Sequence, residues 1–466
     1  MRILVCVNGN LYNVHLVVVP FLDRHTAENT VKLITTLLET VCAPWQDKII
    51  AITTDGENTN TGWRNGVLAR LNRMATHQLM RVWCAPHQGD IVIRAATNEM
   101  DNGAFYKKAH AFSVHLRQQH NLILEIQVQY PPADNVFLSG SYLSSYMSQS
   151  LNLDMQVLCP RDTNRWMYFE RILSFMLKHR RRLEQWIEEK RPVSAPSPTW
   201  WLMCASVQPL AELCNTTMTI LQSHDMILCQ QMAEIKSLIG HLVTAMDVEA
   251  DGNPHDDFVT FAGNTGSKHR VCGSTFMIRD HGPEICSILF PQKTNRMCCM
   301  KLVNTLCNSF AAERDERNNA GSIVPPVLPA QLVKLRTGTF ISDVLDKYRA
   351  HIGLYWSAED VEQVEADHRV NDVGLVKAYN QEPSTKALID EHTLKTNFND
   401  VWASIGNRFT FLRRFSGGLA VAFANTTSVE SDFSVLKWEN DNFRQSMTNL
   451  TLEGIFQLNT GVSLIP

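Results

Sequence analysis

The sequence predicts an α/β protein with a mixed sheet near its N-terminus and a large helical region after it. Two observations support this fold class. Residues 48–52 form an apolar run rich in β-branched side chains, and an acid, Asp55, follows directly before a Gly/Asn-rich turn. Such a run is typical of a buried strand in an open α/β sheet. Residues 165–187 and 201–246 instead carry apolar residues at helical spacing, which predicts long amphipathic helices.

The first 82 residues predict alternating strands and helices. Residues 1–7 read as an apolar strand, Asn8-Gly9-Asn10 as a hairpin turn, and residues 12–19 as a second strand ended by Pro20. A helix is expected over residues 25–41, before the strand that leads to Asp55. Residues 79–82 predict a further strand.

Composition is that of a large globular chain. At 466 residues the chain exceeds one ordinary core, so two or three structural units are expected. No stretch of 18 apolar residues suggests a membrane span, and the twelve cysteines lack the spacing of a disulfide framework, which predicts free thiols. The net charge of −4 argues against a dedicated DNA-binding domain.

Three motifs stand out. Thr54-Asp55-Gly56-Glu57-Asn58 places a carboxylate at the carboxyl end of a strand, where active sites of open α/β sheets lie. Cys84 and His87 follow the next strand. Far downstream, Ser428-Val429-Glu430 opens a predicted helix whose apolar stripe includes Val429 and Phe433, which leaves Glu430 off the stripe.

In this order the three motifs resemble the hAT superfamily of cut-and-paste DNA transposases. The resemblance implies an RNase H-like core in which three acids hold two divalent cations, Mg²⁺ or Mn²⁺, for phosphodiester hydrolysis and strand transfer. By motif, Asp55 matches the second acid and Glu430 the third. It also implies double-stranded DNA (transposon ends) as partner, a homodimer or higher homo-oligomer, and a nuclear location.

The resemblance also implies a domain plan. Residues 1–100 would form the N-terminal part of the core, residues 101–397 a mainly helical insertion domain, and residues 398–466 the rest of the core with a helical dimerisation region. Apolar residues after Glu430 are dense enough to require burial against the helical domain or a second subunit. They are Phe433, Leu436, Trp438, Phe443, Leu450, Leu452, Ile455 and Phe456.

The chain departs from the family pattern at its start. Residues 1–22 contain no Asp or Glu, so neither the first strand of the core nor its acid is identified. We expect either that the protein starts upstream of Met1 or that it is a decayed copy with an incomplete core. A third possibility is that another segment replaces the first strand. A gap in the sheet, or a poorly defined N-terminus, and catalytic incompleteness follow as expectations. No finger of two Cys and two His occurs either, and zinc is not expected, because Cys84 and His87 supply two ligands where zinc takes four.

Further residues are candidates for DNA contact. Cys84 and His87 are either a structural buried pair or, for His87, a DNA or active-site group. Arg165-Trp166 resembles the family's Arg-Trp motif, in which a Trp stacks on an extruded base, but core packing is equally plausible. Between residues 161 and 191 nine basic residues face five acids, including the run Arg180-Arg181-Arg182. That run either contacts phosphate or forms a solvated face paired with nearby glutamates.

Two functions of different class therefore stay open. The chain is a hAT-like transposase core that is catalytically incomplete, or it is a domesticated, non-catalytic nuclear protein that acts through DNA binding or dimerisation. A zinc-dependent hydrolase built on Cys84 and His87 is a third, weaker alternative.

Overall fold

The computed structural model divides the chain into two compact units. The first contains residues 1–88, 220–234 and 314–466, and the second contains residues 89–219 and 235–313. The structure describes residues 1–18, 23–129, 166–245, 324–349, 356–369, 373–393 and 396–439, together with residues 451 and 454. Arg165 and most of the segment after Glu439 lie outside these ranges.

The first unit begins with a β-hairpin. Strand β1 (Arg2–Val7) pairs antiparallel with β2 (Asn10–His15), and Ile3 is opposite Val14. The φ angles of Asn8 and Gly9 are 50° and 80°, the left-handed values that a tight two-residue hairpin turn requires. The predicted hairpin is confirmed, but β2 ends at His15 rather than at residue 19.

The second sheet carries the Asp55 motif. Strand β3 (Ala51–Thr54) pairs in parallel with β4 (Met80–Trp83), and Thr54 is opposite Trp83. Between these strands the chain forms two helices, as a parallel connection requires. They are α3 (Asn58–Thr61) and α4 (Val67–Met74), preceded in the chain by α1 (Ala27–Val41) and α2 (Trp45–Lys48).

The two pairs of strands differ from the expected single mixed sheet. In the described ranges β1 is hydrogen-bonded to β2 alone and β3 to β4 alone, so two separate sheets result. What the structure shows is the coarser class, a mostly helical α/β protein. The physical reason is that no described strand lies between β1 and β3 to join their backbone hydrogen bonds.

Apolar residues cover both faces of the parallel sheet. Ile52 and Leu79 pack with residues of α1, α2 and α4 in one cluster that contains Val31, Trp45 and Leu71. On the other face, the cluster comprises Met80, Val82 and Ala422, with Ile50, Ala51 and Leu228 against it. Asp55 directly follows β3, so it lies at the carboxyl end of the sheet, beyond the two apolar faces.

Helices from the last third of the chain complete the first unit around a large core that contains Phe340, Trp402 and Phe415. Val327, Leu328 and Leu332 belong to the same core. A π-helix spans Ile341–Leu345. The α-helices are α12 (Pro329–Leu332), α13 (Thr337–Phe340), α14 (Ala358–His368), α15 (Leu375–Gln381), α16 (Pro383–Glu391), α17 (Phe398–Ser404), α18 (Thr410–Leu419) and α19 (Thr427–Glu439).

The second unit is built from helices in its described residues. Aromatic rings form its centre: Phe105 stacks on Trp200 with 5.4 Å between ring centroids, and the Trp200 indole donates to the Phe105 carbonyl at 3.1 Å. The helices are α5 (Ala85–Glu99), α6 (Ala104–Arg117), α7 (His120–Gln129), α8 (Trp166–Lys178), α9 (Arg180–Lys190), α10 (Pro198–Leu221) and α11 (Leu228–Ala245), with a 3-10 turn at Met100–Gly103.

Among the residues described, no helix has both the length and the apolar character needed to cross a bilayer.

Candidate functional site at the carboxyl end of the parallel sheet

Asp55 lies directly after β3 and is half-buried. Its Oδ1 accepts hydrogen bonds from the Asn60 side chain at 2.8 Å and from the Glu57 backbone at 3.3 Å. Gly56 rests against the indole of Trp83, where an added Cβ would lie 2.3 Å from a ring carbon. The Asp-Gly pair is therefore sterically fixed by the end of β4, and Asn60 is a carboxylate partner that the motif did not reveal.

Cys84 joins the end of β4 to the C-terminal motif. Its backbone amide donates to the Thr54 carbonyl at 2.9 Å, which extends the pairing of the two strands up to Asp55. Its buried Sγ lies 3.1 Å from the Thr426 hydroxyl, which also lies 3.3 Å from Oε1 of Glu430. A hydroxyl has one proton, so Thr426 donates to one of these acceptors at a time. The chain Cys84, Thr426, Glu430 links all three motifs at one edge of the sheet.

Backbone contacts fix the segment that precedes α19. The Thr53 hydroxyl donates to the Phe423 carbonyl at 2.6 Å. The Asn425 amide donates to the carbonyls of Leu221 and Ser223, at 2.7 and 2.9 Å. This segment is thus anchored to β3 on one side and to the end of α10 on the other, which determines where α19 begins.

Helix α19 turns a different face inward from the one predicted. Phe433, assigned to the buried apolar stripe, is 63% exposed, while Asp432 is 5% exposed. The reason is that Asp432 has polar partners in the hairpin, Arg2 and His15, which draw its side of the helix inward. Glu430 is half-buried. Side chains from residue 435 onward, including most of the predicted dimerisation stripe, lie outside the described part.

Asp432 forms a buried ion pair that sequence reasoning missed. The Arg2 guanidinium donates to both carboxylate oxygens, with Nε to Oδ2 at 2.7 Å and Nη2 to Oδ1 at 2.8 Å. Nδ1 of His15 lies 3.4 Å from the same Oδ2. One turn earlier, Ser428 Oγ is 3.1 Å from both the Asn13 amide nitrogen and Nδ1 of His224. The hairpin therefore holds α19, the helix of Glu430, by paired polar contacts.

Cys84 and His87 do not form the buried pair that was one interpretation. Cys84 is fully buried, whereas His87 lies on the first turn of α5 with its side chain exposed. In the ranges described, no three His, Cys, Asp or Glu side chains come together as a group able to hold a metal ion. At this edge the acids Asp55 and Glu430 are both half-buried, and their carboxylate oxygens could act as metal ligands.

The basic run on α9 is largely paired with acids. Nε of Arg180 donates to Glu184 at 2.8 Å, and Nε of Arg182 donates to Glu125 at 3.0 Å. Arg181 is exposed. Trp166 is the first residue of α8, but its side chain is outside the description. For Arg180 and Arg182 this arrangement matches the solvated, ion-paired interpretation.

His179, which precedes that run, gives a test by pH. Burial, with a smaller contribution from Lys178, lowers its pKa from 6.5 to about 4. Between these two pH values the unfolded chain binds a proton at His179 that the folded chain does not. The contribution of neutral His179 to the free energy of unfolding is therefore fully present above about pH 6.5 and is lost as the pH drops toward about 4. We expect His179→Gln to flatten this dependence in urea unfolding, while His120→Gln, at an exposed position of the same unit, should retain it. Equal slopes in both variants would contradict the assignment.

Comparison with known proteins adds no relative. No family model matches the chain, and no curated protein matches it either.

Proposed function

We propose that this chain is a hAT-like, transposase-derived protein, related to metal-dependent cut-and-paste DNA transposition but without cleavage activity of its own. One observation carries the proposal. The three motifs that resemble the family meet at a single sheet edge, through the Thr54–Cys84 backbone bond and the contacts of Thr426 with Cys84 and Glu430. Motif residues more than 340 positions apart have no local reason to converge there.

The proposed cofactor is Mg²⁺ or Mn²⁺ held by Asp55 and Glu430. Carboxylate oxygens suit these hard cations. The fit is incomplete, because the described residues bring no third acid to this edge and residues 1–22 contain none. A cation held by two carboxylates is bound weakly, so we assign the site no chemical step. Double-stranded DNA, self-association and a nuclear location complete the proposal, and the β3–β4 pair with α19 would represent its RNase H-like part.

Manganese binding tests the carboxylate pair. We expect the full chain to bind Mn²⁺ weakly in an electron paramagnetic resonance titration, and Asp55→Asn and Glu430→Gln each to weaken binding at least about 10-fold. Glu57→Gln, an exposed acid two residues from Asp55, serves as the matched control and should leave binding unchanged. If either substitution at Asp55 or Glu430 has no effect, the two acids do not share a cation.

The same protein should neither nick nor join a hairpin-forming DNA end in Mg²⁺ or Mn²⁺. Loss of one ligand misplaces the reacting groups, and a misplacement of 1 Å costs about 100-fold in rate. Nicking that disappears in Asp55→Ala would show that another acid completes the site.

The second candidate function is a nuclear protein that acts through DNA binding or dimerisation without a metal. The exposed ring of Phe433, within the segment 398–466 that contains the predicted dimerisation region, favours it. A chain that dimerises or binds DNA but shows no Mn²⁺ signal would support this alternative.

A further inference from the structure

The loop between α3 and α4 presents an exposed tryptophan. Trp63 is 73% exposed, and the guanidinium carbon of Arg64 lies 4.1 Å from its ring centroid. Tryptophan is usually well buried, because its ring contributes a large apolar area. Here a cation stacks on the ring and the rest of the indole surface faces solvent, which makes it available to a planar ligand.

The Trp63 loop, residues 62–66, is held in place by its own backbone. The Gly66 amide donates to the Gly62 carbonyl at 2.8 Å, and a Cβ at Gly66 would lie 2.6 Å from the Gly62 backbone, so this close approach needs glycine. Nε of Arg70 donates to the Asn65 carbonyl and Nη2 of Arg73 to the Arg64 carbonyl, both at 2.9 Å. A loop fixed in this way loses little conformational entropy when a ligand binds.

A cavity of about 340 Å³ adjoins the ring. This volume is at the lower end of the range for small-ligand sites, about 300–1,000 Å³. Besides Trp63 and Arg64, the residues that line it include Thr26, Asn58 and Asn65. Hydroxyl and amide groups both donate and accept hydrogen bonds, as the polar edge of a nucleobase requires.

Arginines gather around the loop, while the nearest acids are Glu57 and Glu28, each beside a lining residue in the sequence. Residues 58–89 contain no Asp or Glu but four arginines, Arg64, Arg70, Arg73 and Arg81, in a chain whose net charge is −4. The guanidinium groups of Arg70 and Arg73 lie at the Trp63 loop itself, since they bond to its carbonyls. The acid nearest along the chain is Glu57, whose carboxylate accepts from Thr59 at 3.4 Å. The combination of a stacking ring, an open, mainly apolar groove with a few polar lining residues, and nearby arginines suits a base with its phosphates.

We propose that the Trp63 loop and its cavity bind an unpaired nucleotide of single-stranded DNA. The base stacks on Trp63, its polar edge meets Asn58 and Asn65, and the adjacent phosphate contacts Arg64. This inference deepens the proposed function and rests on it for the choice of DNA as the polymer, because the loop begins seven residues after Asp55. It places a separated strand beside the carboxylate edge.

Binding of a fluorescein-labelled oligothymidylate, followed by anisotropy with the full chain in EDTA, tests the proposal. We expect Trp63→Ala to weaken binding about 5- to 150-fold, the range found for one stacked base, and Trp63→Phe to weaken it less. Arg64→Gln should reduce the dependence of log K on log salt by about 0.7, the value for one phosphate of a single strand. Arg336→Gln, at an exposed arginine of the same unit, is the charge-matched control and should change the slope less.

Because EDTA removes divalent cations, this assay measures DNA binding at the Trp63 loop independently of any cation at Asp55 and Glu430. Trp63-dependent binding in EDTA supports the loop even if the chain binds no Mn²⁺. Three results overturn it: no binding of the wild-type chain at low salt, equal affinity of wild type and Trp63→Ala, or equal losses on duplex and single-stranded DNA. An oligouridylate bound more tightly than oligothymidylate would also overturn the choice of DNA. Each variant should unfold thermally at the same midpoint temperature as the wild type, which would show that the loss of DNA binding does not come from unfolding.

Discussion

Replacing Asp432 with alanine is expected to lower the free energy of unfolding of the first unit by about 3–5 kcal/mol, because it leaves the charge of Arg2 uncompensated in a buried place. The side chains of Arg2 and Asp432 are 12% and 7% exposed, and both guanidinium bonds disappear with the carboxylate. Urea unfolding measures the change.

Two further variants make the test specific. Arg2→Met combined with Asp432→Leu removes both charges, so it should recover most of the loss. Arg349→Ala breaks a pair with Asp346 whose side chains are 57% and 50% exposed, and this control should cost only about 0.2–1 kcal/mol. A loss below about 1 kcal/mol for Asp432→Ala would mean that the buried pair contributes no more than a surface pair.

Trp402→Ala is expected to destabilise the first unit by about 3–5 kcal/mol, the usual loss for a large aromatic side chain in a core. Trp402 is 1% exposed, packs beside Phe398, and donates its indole N–H to the Val327 carbonyl at 3.2 Å. The variant removes this volume and leaves the carbonyl without its donor.

This result also bears on the predicted dimerisation region, because Trp402 lies within residues 398–466, to which that region was assigned. The urea midpoint of Trp402→Ala should lie below that of the wild type by the same amount at two protein concentrations. The reason is that Trp402 packs within a single chain. Phe433→Ala, at a 63% exposed position, should change stability by no more than about 0.5 kcal/mol. A loss that depends on protein concentration would place Trp402 at a subunit contact instead.

Local patterns predicted the strands and turns that they encode directly. Asn8-Gly9 specifies its own turn, and the β-branched run before Asp55 specifies a buried strand, because both signals act between neighbouring residues. The position of Asp55 at a strand end followed from the same reasoning. The link to Cys84 followed only from the motif order, since nothing local connects residues 84 and 426.

The inward face of α19 could not be predicted in this way. Apolar periodicity places Phe433 inside, but the partners that draw Asp432 inward are 430 and 417 residues distant in the sequence, at Arg2 and His15. A single sequence contains no signal for such a pairing. Likewise, Val327 and Leu328 share a core with Trp402, although nothing local in their sequence connects them with that residue.

The hairpin has a consequence for synthesis on the ribosome. It is synthesised long before the groups that hold it: Asn399 bonds both polar groups of the Leu11 backbone, and Arg413 and Asp432 bond the turn and β1. An isolated two-stranded hairpin is marginally stable in water. At about 5–20 residues per second, roughly 20–80 s separate its emergence from that of its partners. For that time, an apolar ribbon with unpaired edges is exposed to chaperones and to neighbouring nascent chains.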